Sequence, residues 1–239
     1  MIIVNADDWG ASAKETDAAL RCYEAGSISS ASGMVFMEDS ERAADIANDV
    51  GLDVGLHLNF TQPFTGECRD ELLLEYHHRI FRYLTQSKYA SIVYNPALDH
   101  QFRYVYEAQL TEFERIYGKS PSHIDGHHHR HLCANMIIAN IIADGAKIRR
   151  NFTFLLGEKS LLNRAYRDLM DQWLARRYRL TDFLFDICAT DFSLIAKLAH
   201  EATVELMVHP ARVEEFEVLM SDDYIENIKK QVVGSYSSF

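Results

Sequence analysis

Four places in the sequence carry side chains that bind metal ions or move protons. They are the adjacent carboxylates Asp7 and Asp8, His57 within Gly55-Leu-His-Leu-Asn59, the run His123-Ile-Asp-Gly-His127-His-His-Arg-His131, and His209 before Pro210. Two imidazoles and one carboxylate can hold a divalent ion and still leave coordination positions open, which a catalytic ion requires and a structural one does not. A second carboxylate nearby can accept a proton from water acidified by the ion. An imidazole with an ordinary pKa near ~6.5 can return a proton to a leaving group at neutral pH.

Spacing sharpens some of these assignments and leaves others open. If residues 122–131 begin extended, the two-residue period puts His123, Asp125, His127, His129 and His131 on one face. Read as a helix, His127 and His131 would instead be i, i+4 neighbours, but Pro121 and Gly126 favour a strand running into a loop. Spacing alone does not select the coordinating histidine, and a solvated His-rich turn is the bland alternative. His57 lies between Leu56 and Leu58, so its ring faces away from two core-type side chains. Carboxylates at adjacent positions of a regular strand point to opposite sides, so Asp7 and Asp8 share a pocket only if the strand bends at its end. Capping of the next helix is their structural alternative.

The elements that must position these groups read as an alternation of strands and helices. Strands are expected at 1–6, 29–37, 53–61, 122–131, 146–152, 181–187 and 203–208. Helices are expected at 12–26, 40–50, 106–117, 135–144, 161–177, 192–201 and 221–232. Residues 62–104 form a long excursion with some helix and no assigned role. About seven strands in this order predict a single α/β domain over 1–239, a distorted or incomplete (β/α) barrel, with an open doubly wound sheet as second choice. Either fold gathers the ends of parallel strands on one face, where all four groups of candidate residues fall.

Composition removes several classes of function. With 24 Lys plus Arg against 35 Asp plus Glu among 239 residues, the net charge is −11, which argues against a nucleic-acid partner. No apolar run is long enough to span a bilayer, and the first residues lack a signal-peptide pattern, so a cytoplasmic location without membrane association is expected. The four cysteines, Cys22, Cys68, Cys133 and Cys188, show no CxxC spacing and are expected to be reduced. No GxGxxG or GxxxxGK[ST] motif follows a strand.

The segments Asn5-Ala-Asp-Asp-Trp-Gly10, Gly55-Leu-His-Leu-Asn59, Ser122-His-Ile-Asp-Gly-His-His-His-Arg-His131 and His209-Pro-Ala211 together resemble the YdjC-like carbohydrate deacetylases, which include the chitooligosaccharide deacetylases. The resemblance runs from the first residues to the last strand. It implies an incomplete (β/α) barrel that removes acetyl groups from N-acetylated amino sugars with one divalent ion, magnesium or zinc, often as a homodimer. Carried over by position, it makes Asp8, His57 and His127 the metal ligands, Asp7 the general base and His209 the general acid. His127 is selected by the resemblance alone. Asp125 is expected to orient a ligand. Arg149 is expected to contact substrate or orient Asp7, with a solvated Arg149-Arg150 pair as the alternative. Trp9 and Gly126 stand where the family commonly has Phe and Ser, and neither change removes a ligand. A metal-dependent phosphoesterase and a non-catalytic carbohydrate-binding relative are the competing functions.

Overall fold

The apolar opening of the sequence becomes β1 (Ile2–Trp9), a central strand of one all-parallel sheet; the computed structural model describes residues 1–87, 89–154, 159–188 and 191–239. The chain continues through α1 (Ala13–Glu24), β2 (Ser30–Gly33), α2 (Ser40–Val50) and β3 (Val54–Leu58). It then passes through α3 (Glu71–Thr85), α4 (Asp99–Tyr117), β4 (Ile124–Gly126) and α5 (Ala134–Ile138). The remaining elements are α6 (Leu161–Leu174), β5 (Phe183–Asp186), α7 (Phe192–Ala199), β6 (Val204–Val208), α8 (Val213–Leu219) and α9 (Asp222–Ile228). The strand order is β4-β3-β2-β1-β6-β5 with every pair parallel, so the sheet curls into a half-barrel whose strand ends share one rim.

The two-residue period of the strands explains the two faces of this sheet. Ile2, Val4 and Ala6 of β1, Val54, Leu56 and Leu58 of β3, and Val204, Leu206 and Val208 of β6 join the apolar core beneath the helices. The alternate residues, Asn5, Asp7, His57 and Glu205, point to the inner face and are buried there with Ser32, Asp125 and Arg149. Most barrels fill that space with branched aliphatic side chains. Here a hydrogen-bonded polar network fills it.

Among the described residues the sheet has six strands rather than the expected seven. Residues 146–149 make two backbone hydrogen bonds on each side: Ile124 N–H donates to Lys147 O and Arg149 N–H to Ile124 O on one side, while Ile148 N–H donates to Arg179 O and Arg179 N–H to Ala146 O on the other. Two residues further on, the Asn151 N–H donates to the Asp171 carboxylate from α6 instead of to a neighbouring strand, which interrupts the ladder before Thr153 N–H donates to Leu184 O of β5. The segment therefore spans the gap between the edges of the half-barrel through isolated bridges.

Other boundaries also move. The helix expected over 135–144 stops at Ile138, where Asn140 turns left-handed at φ 51°. The helix expected from 106 begins at Asp99, and the excursion contains α3, capped by Asp70 accepting from the N–H groups of Leu72 and Leu73. Helix α8 falls where the sequence reading had none. All four cysteines are free thiols, and among the described residues no helix is long and apolar enough to cross a membrane.

Candidate active site

The end of β1 supplies the bend that two adjacent carboxylates need. Its pairing with β2 slips between Ala6 and Trp9, and Asp8 takes a left-handed backbone at φ 64°, uncommon for a residue with a Cβ. This irregularity lets Asp7 stay inside the half-barrel while Asp8 turns onto the rim. Asp8 Oδ1 lies 3.0 Å from His127 Nδ1 and 3.3 Å from His57 Nε2. The facing atoms of these three side chains all lie within 4.8 Å of one another.

A second layer fixes the direction of the rings. His57, from β3, uses Nδ1 to reach Asp125 Oδ1 at 2.8 Å, which leaves Nε2 aimed at Asp8. Asp125 Oδ2 accepts from Ser32 Oγ at 2.8 Å and lies 2.8 Å from Arg149 Nη1. The Arg149 guanidinium has no solvent exposure and donates to both oxygens of Asp7 at 2.7 Å and, through Nε, to Glu205 Oε1 at 2.7 Å. Asn5 Nδ2 completes the hold on Asp7 Oδ1 at 3.1 Å. Such a planar fork fixes a carboxylate in two dimensions, which a lysine could not do.

His209 follows β6. Its backbone N–H donates to Glu215 Oε2 at 2.5 Å, and its Nδ1 lies 3.5 Å from Glu215 Oε1, beyond ordinary hydrogen-bond length. Glu215, on α8, is buried and also receives Arg212 Nη1 at 3.0 Å. Asp7, Asp8 and His209 line one cavity of about 160 Å³ with Lys14, Glu15 and Arg212. Asp8 and Glu15 also border a second cavity of about 220 Å³, which reaches Glu38 past Ser12, Gln62 and Thr65. Glu38 in turn borders a third, of about 830 Å³, walled by Gly66, Asp70, Leu73 and Tyr104 from the excursion.

The histidine run divides in two. The extended part carries His123 and Asp125 to the inner face and His127 to the rim. His128 and His129 are then left-handed at φ 55°, and the alternation ends there. His128 Nδ1 pairs with Thr61 Oγ1 at 3.0 Å, His129 packs edge-on against Phe152, and His131 Nε2 meets the Arg149 carbonyl at 3.0 Å. His129 and His131 therefore serve the turn rather than the Asp8 group, and burial pushes His131 down to about 4.

Electrostatics suit a cation between Asp8, His57 and His127. Burial works against the Asp8 charge, yet the contacts with His127 and His57 hold its carboxyl well below the usual range. Burial likewise opposes a charged His57, and the carboxylates of Asp125, Asp7 and Asp8 outweigh it, holding the ring well above ordinary imidazole. One carboxylate and two imidazoles, one of them anchored through its other nitrogen to a buried carboxylate, fit a divalent ion. A second trio, Asp7, His57 and Asp125, also lies within 4.8 Å, but there the guanidinium of Arg149 and the His57–Asp125 hydrogen bond already use the donors.

Sequence reading missed Glu215, Glu205, Ser32 and Asn5. Glu205 carried a usable signal, a lone carboxylate inside the apolar run Val204-Glu-Leu-Met-Val208. Glu215 carried none, since α8 itself was not anticipated.

Fold and site define a YdjC-like protein: residues 1–231 match the family described as YdjC-like protein, and the chain belongs to it. Among its relatives, the chain is 28% identical over 225 residues to a chitooligosaccharide deacetylase of Proteus mirabilis, covering 90% of this chain and 82% of that one. It is 30% identical over 133 residues to a carbohydrate deacetylase of Mus musculus, covering 55% and 43% respectively. The crystal structure of a putative cellobiose-phosphate cleavage protein from Enterococcus faecalis superposes with a TM-score of 0.69 at 18% identity, over 99% of this chain and 97% of that one, a likeness of fold.

Proposed function

We propose that this protein is a metal-dependent hydrolase that removes the acetyl group from N-acetylated amino sugars. The observation that carries the reading is the Asp8, His57 and His127 group with two further titratable side chains, Asp7 and His209, on the wall of one adjoining cavity. The names of its relatives support the same activity. Asp8, His57 and His127 would hold one divalent ion, which supplies polarisation of the acetyl carbonyl and acidification of water. Imidazole donors favour zinc or a similar ion over magnesium, which prefers an all-oxygen shell.

Asp7 is the base that takes the proton of the attacking water, and Arg149 with Asn5 fixes its carboxylate in the lumen. Asp125 holds His57 in the tautomer that presents Nε2 to the site. His209 donates the proton that lets the amine leave. Burial lowers its affinity for that proton, while Glu215 and the charges of Asp7 and Asp8 outweigh burial and hold the ring above ordinary imidazole.

The three cavities share lining residues in sequence, Asp8 and Glu15 between the first two and Glu38 between the last two, which suits an oligosaccharide better than a single sugar. Occupation of the Asp7, His57 and Asp125 trio by Arg149 speaks against a two-ion phosphoesterase. The deciding experiment is acetate release from N-acetylglucosamine monomers and oligomers, with and without 6-phosphate, by apo protein refilled with zinc, cobalt, manganese or magnesium. Acetate release that depends on the added ion supports the reading; a metal-loaded protein that releases none from any of these sugars overturns it.

A further inference from the structure

Beyond α9 the chain turns back under the half-barrel. Ile2 N–H donates to Val232 O and Gly234 N–H to Ile2 O, which adds these residues beside the start of β1. Ser237 N–H donates to Asp53 Oδ2 at 3.1 Å, just before β3, and Lys147 Nζ donates to the Tyr236 carbonyl. The Tyr236 side chain is thereby inserted, with no solvent exposure, into the end of the lumen opposite the rim.

Two contact paths from the candidate site meet on that ring. In one, the Tyr236 hydroxyl donates to Glu205 Oε2, Glu205 Oε1 accepts from Arg149 Nε, and Arg149 grips both oxygens of Asp7. In the other, the ring stacks on His123 at 3.7 Å between centroids and 11° between planes; His123 Nε2 is 3.0 Å from Ser32 Oγ, which donates to the Asp125 carboxylate behind His57. Gly55 makes room for this stack, because a Cβ there would lie 2.3 Å from His123 ring atoms. Glu205, Arg149, Asp125 and His123 are all essentially inaccessible to water, so none can replace a lost partner with solvent.

We infer that Tyr236 is a positioning residue for the active site, setting the orientation of Asp7 through Glu205 and Arg149 and supporting the Asp125–His57 pair through His123. It lies beyond residue 231, where the match to the YdjC-like family ends. Tyr236 touches none of Asp7, Asp8, His57, His127 and His209; its side chain meets Glu205 and His123. A plug that merely sealed the lumen would need the ring and not the hydroxyl. Positioning needs both.

The inference rests on the deacetylase reading for its effect on turnover, so the test pairs turnover with a measurement that does not use it. Tyr236→Phe keeps the stack and deletes the donor to Glu205. It is expected to lower kcat for acetate release about tenfold, with KM and bound metal unchanged, as for other outer partners of a site. In the metal-free protein, hydrogen exchange of the Arg149 Nε–H, followed by NMR, is expected to quicken about tenfold as its acceptor Glu205 loosens. Tyr236→Leu removes the stack as well and should lower kcat further; if that variant does not fold, Tyr236→Phe alone decides. Wild-type kcat in a folded Tyr236→Phe overturns the inference, as does a fall in activity that only tracks a fall in folded protein. If the wild type releases no acetate, the deacetylase reading fails separately, and the exchange rate decides whether Tyr236 holds Arg149.

Discussion

At the rim of the half-barrel, Asp8, His128 and His129 stand in left-handed backbone and the β1–β2 pairing slips, whereas at the opposite end regular strand starts are tied to residues 232–239 by backbone and side-chain hydrogen bonds. The rim groups reach open cavities and one another; of the inner groups Asp7 borders a cavity, while Asp125, Arg149 and Glu205 are fully buried. Strain is tolerated where side chains must meet a ligand, and the buried charges are paired where water cannot reach them. The difference predicts that changes at the rim cost activity with little loss of stability, and that loss of the buried cation in the lumen costs stability as well.

Arg149 is the sharpest test of that division, because it lies between the two regions. Arg149→Met leaves the buried Asp7, Asp125 and Glu205 carboxylates without their cation and should lower stability by about 3–5 kcal/mol in urea unfolding. A loss of activity with unchanged stability would erase the distinction. Asp8→Ala at the rim should abolish binding of one divalent ion per chain in calorimetry and lower turnover ~10³-fold, with a far smaller change in unfolding. His209→Ala should lower turnover ~10²-fold and leave metal content unchanged.

Glu215→Gln gives the smallest expected effect and a signed one. Glu215 helps hold His209 above its ordinary range, so activity that needs protonated His209 falls as pH rises through that raised pKa. Removing the charge moves the alkaline limb of the pH–rate profile to lower pH. The same contact contributes stability that is present in full below the unfolded pKa and is lost as pH rises through the folded one. A limb that stays in place would detach Glu215 from the mechanism.

Much of this organisation is legible in the sequence because a carboxylate or histidine inside a strand-like apolar run stands out. Asp7, His57, Asp125 and His209 are visible in that way, and their convergence follows from parallel strands. The expected strand at 146–152 misled because its composition suits a strand while Asp171, from a helix still to come, takes the Asn151 donor and leaves only isolated bridges. His129 and His131 misled because nothing in five alternating polar residues announces a left-handed turn after His127. The excursion hid α3 behind exposed Leu72 and Leu74, although Leu73, His77, Ile80 and Leu84 share a helical face.

The placement of Tyr236 has a consequence for synthesis. The buried lattice joins residues 5, 7, 32, 125, 149, 205 and 236, so its members are drawn from nearly the whole chain. Charges in the lumen cannot be sealed from water until the last of these has left the ribosome. Such distant pairings make folding slow and late. The unfinished chain is expected to wait with its lumen hydrated, and the docking of Tyr236 is the event that expels that water.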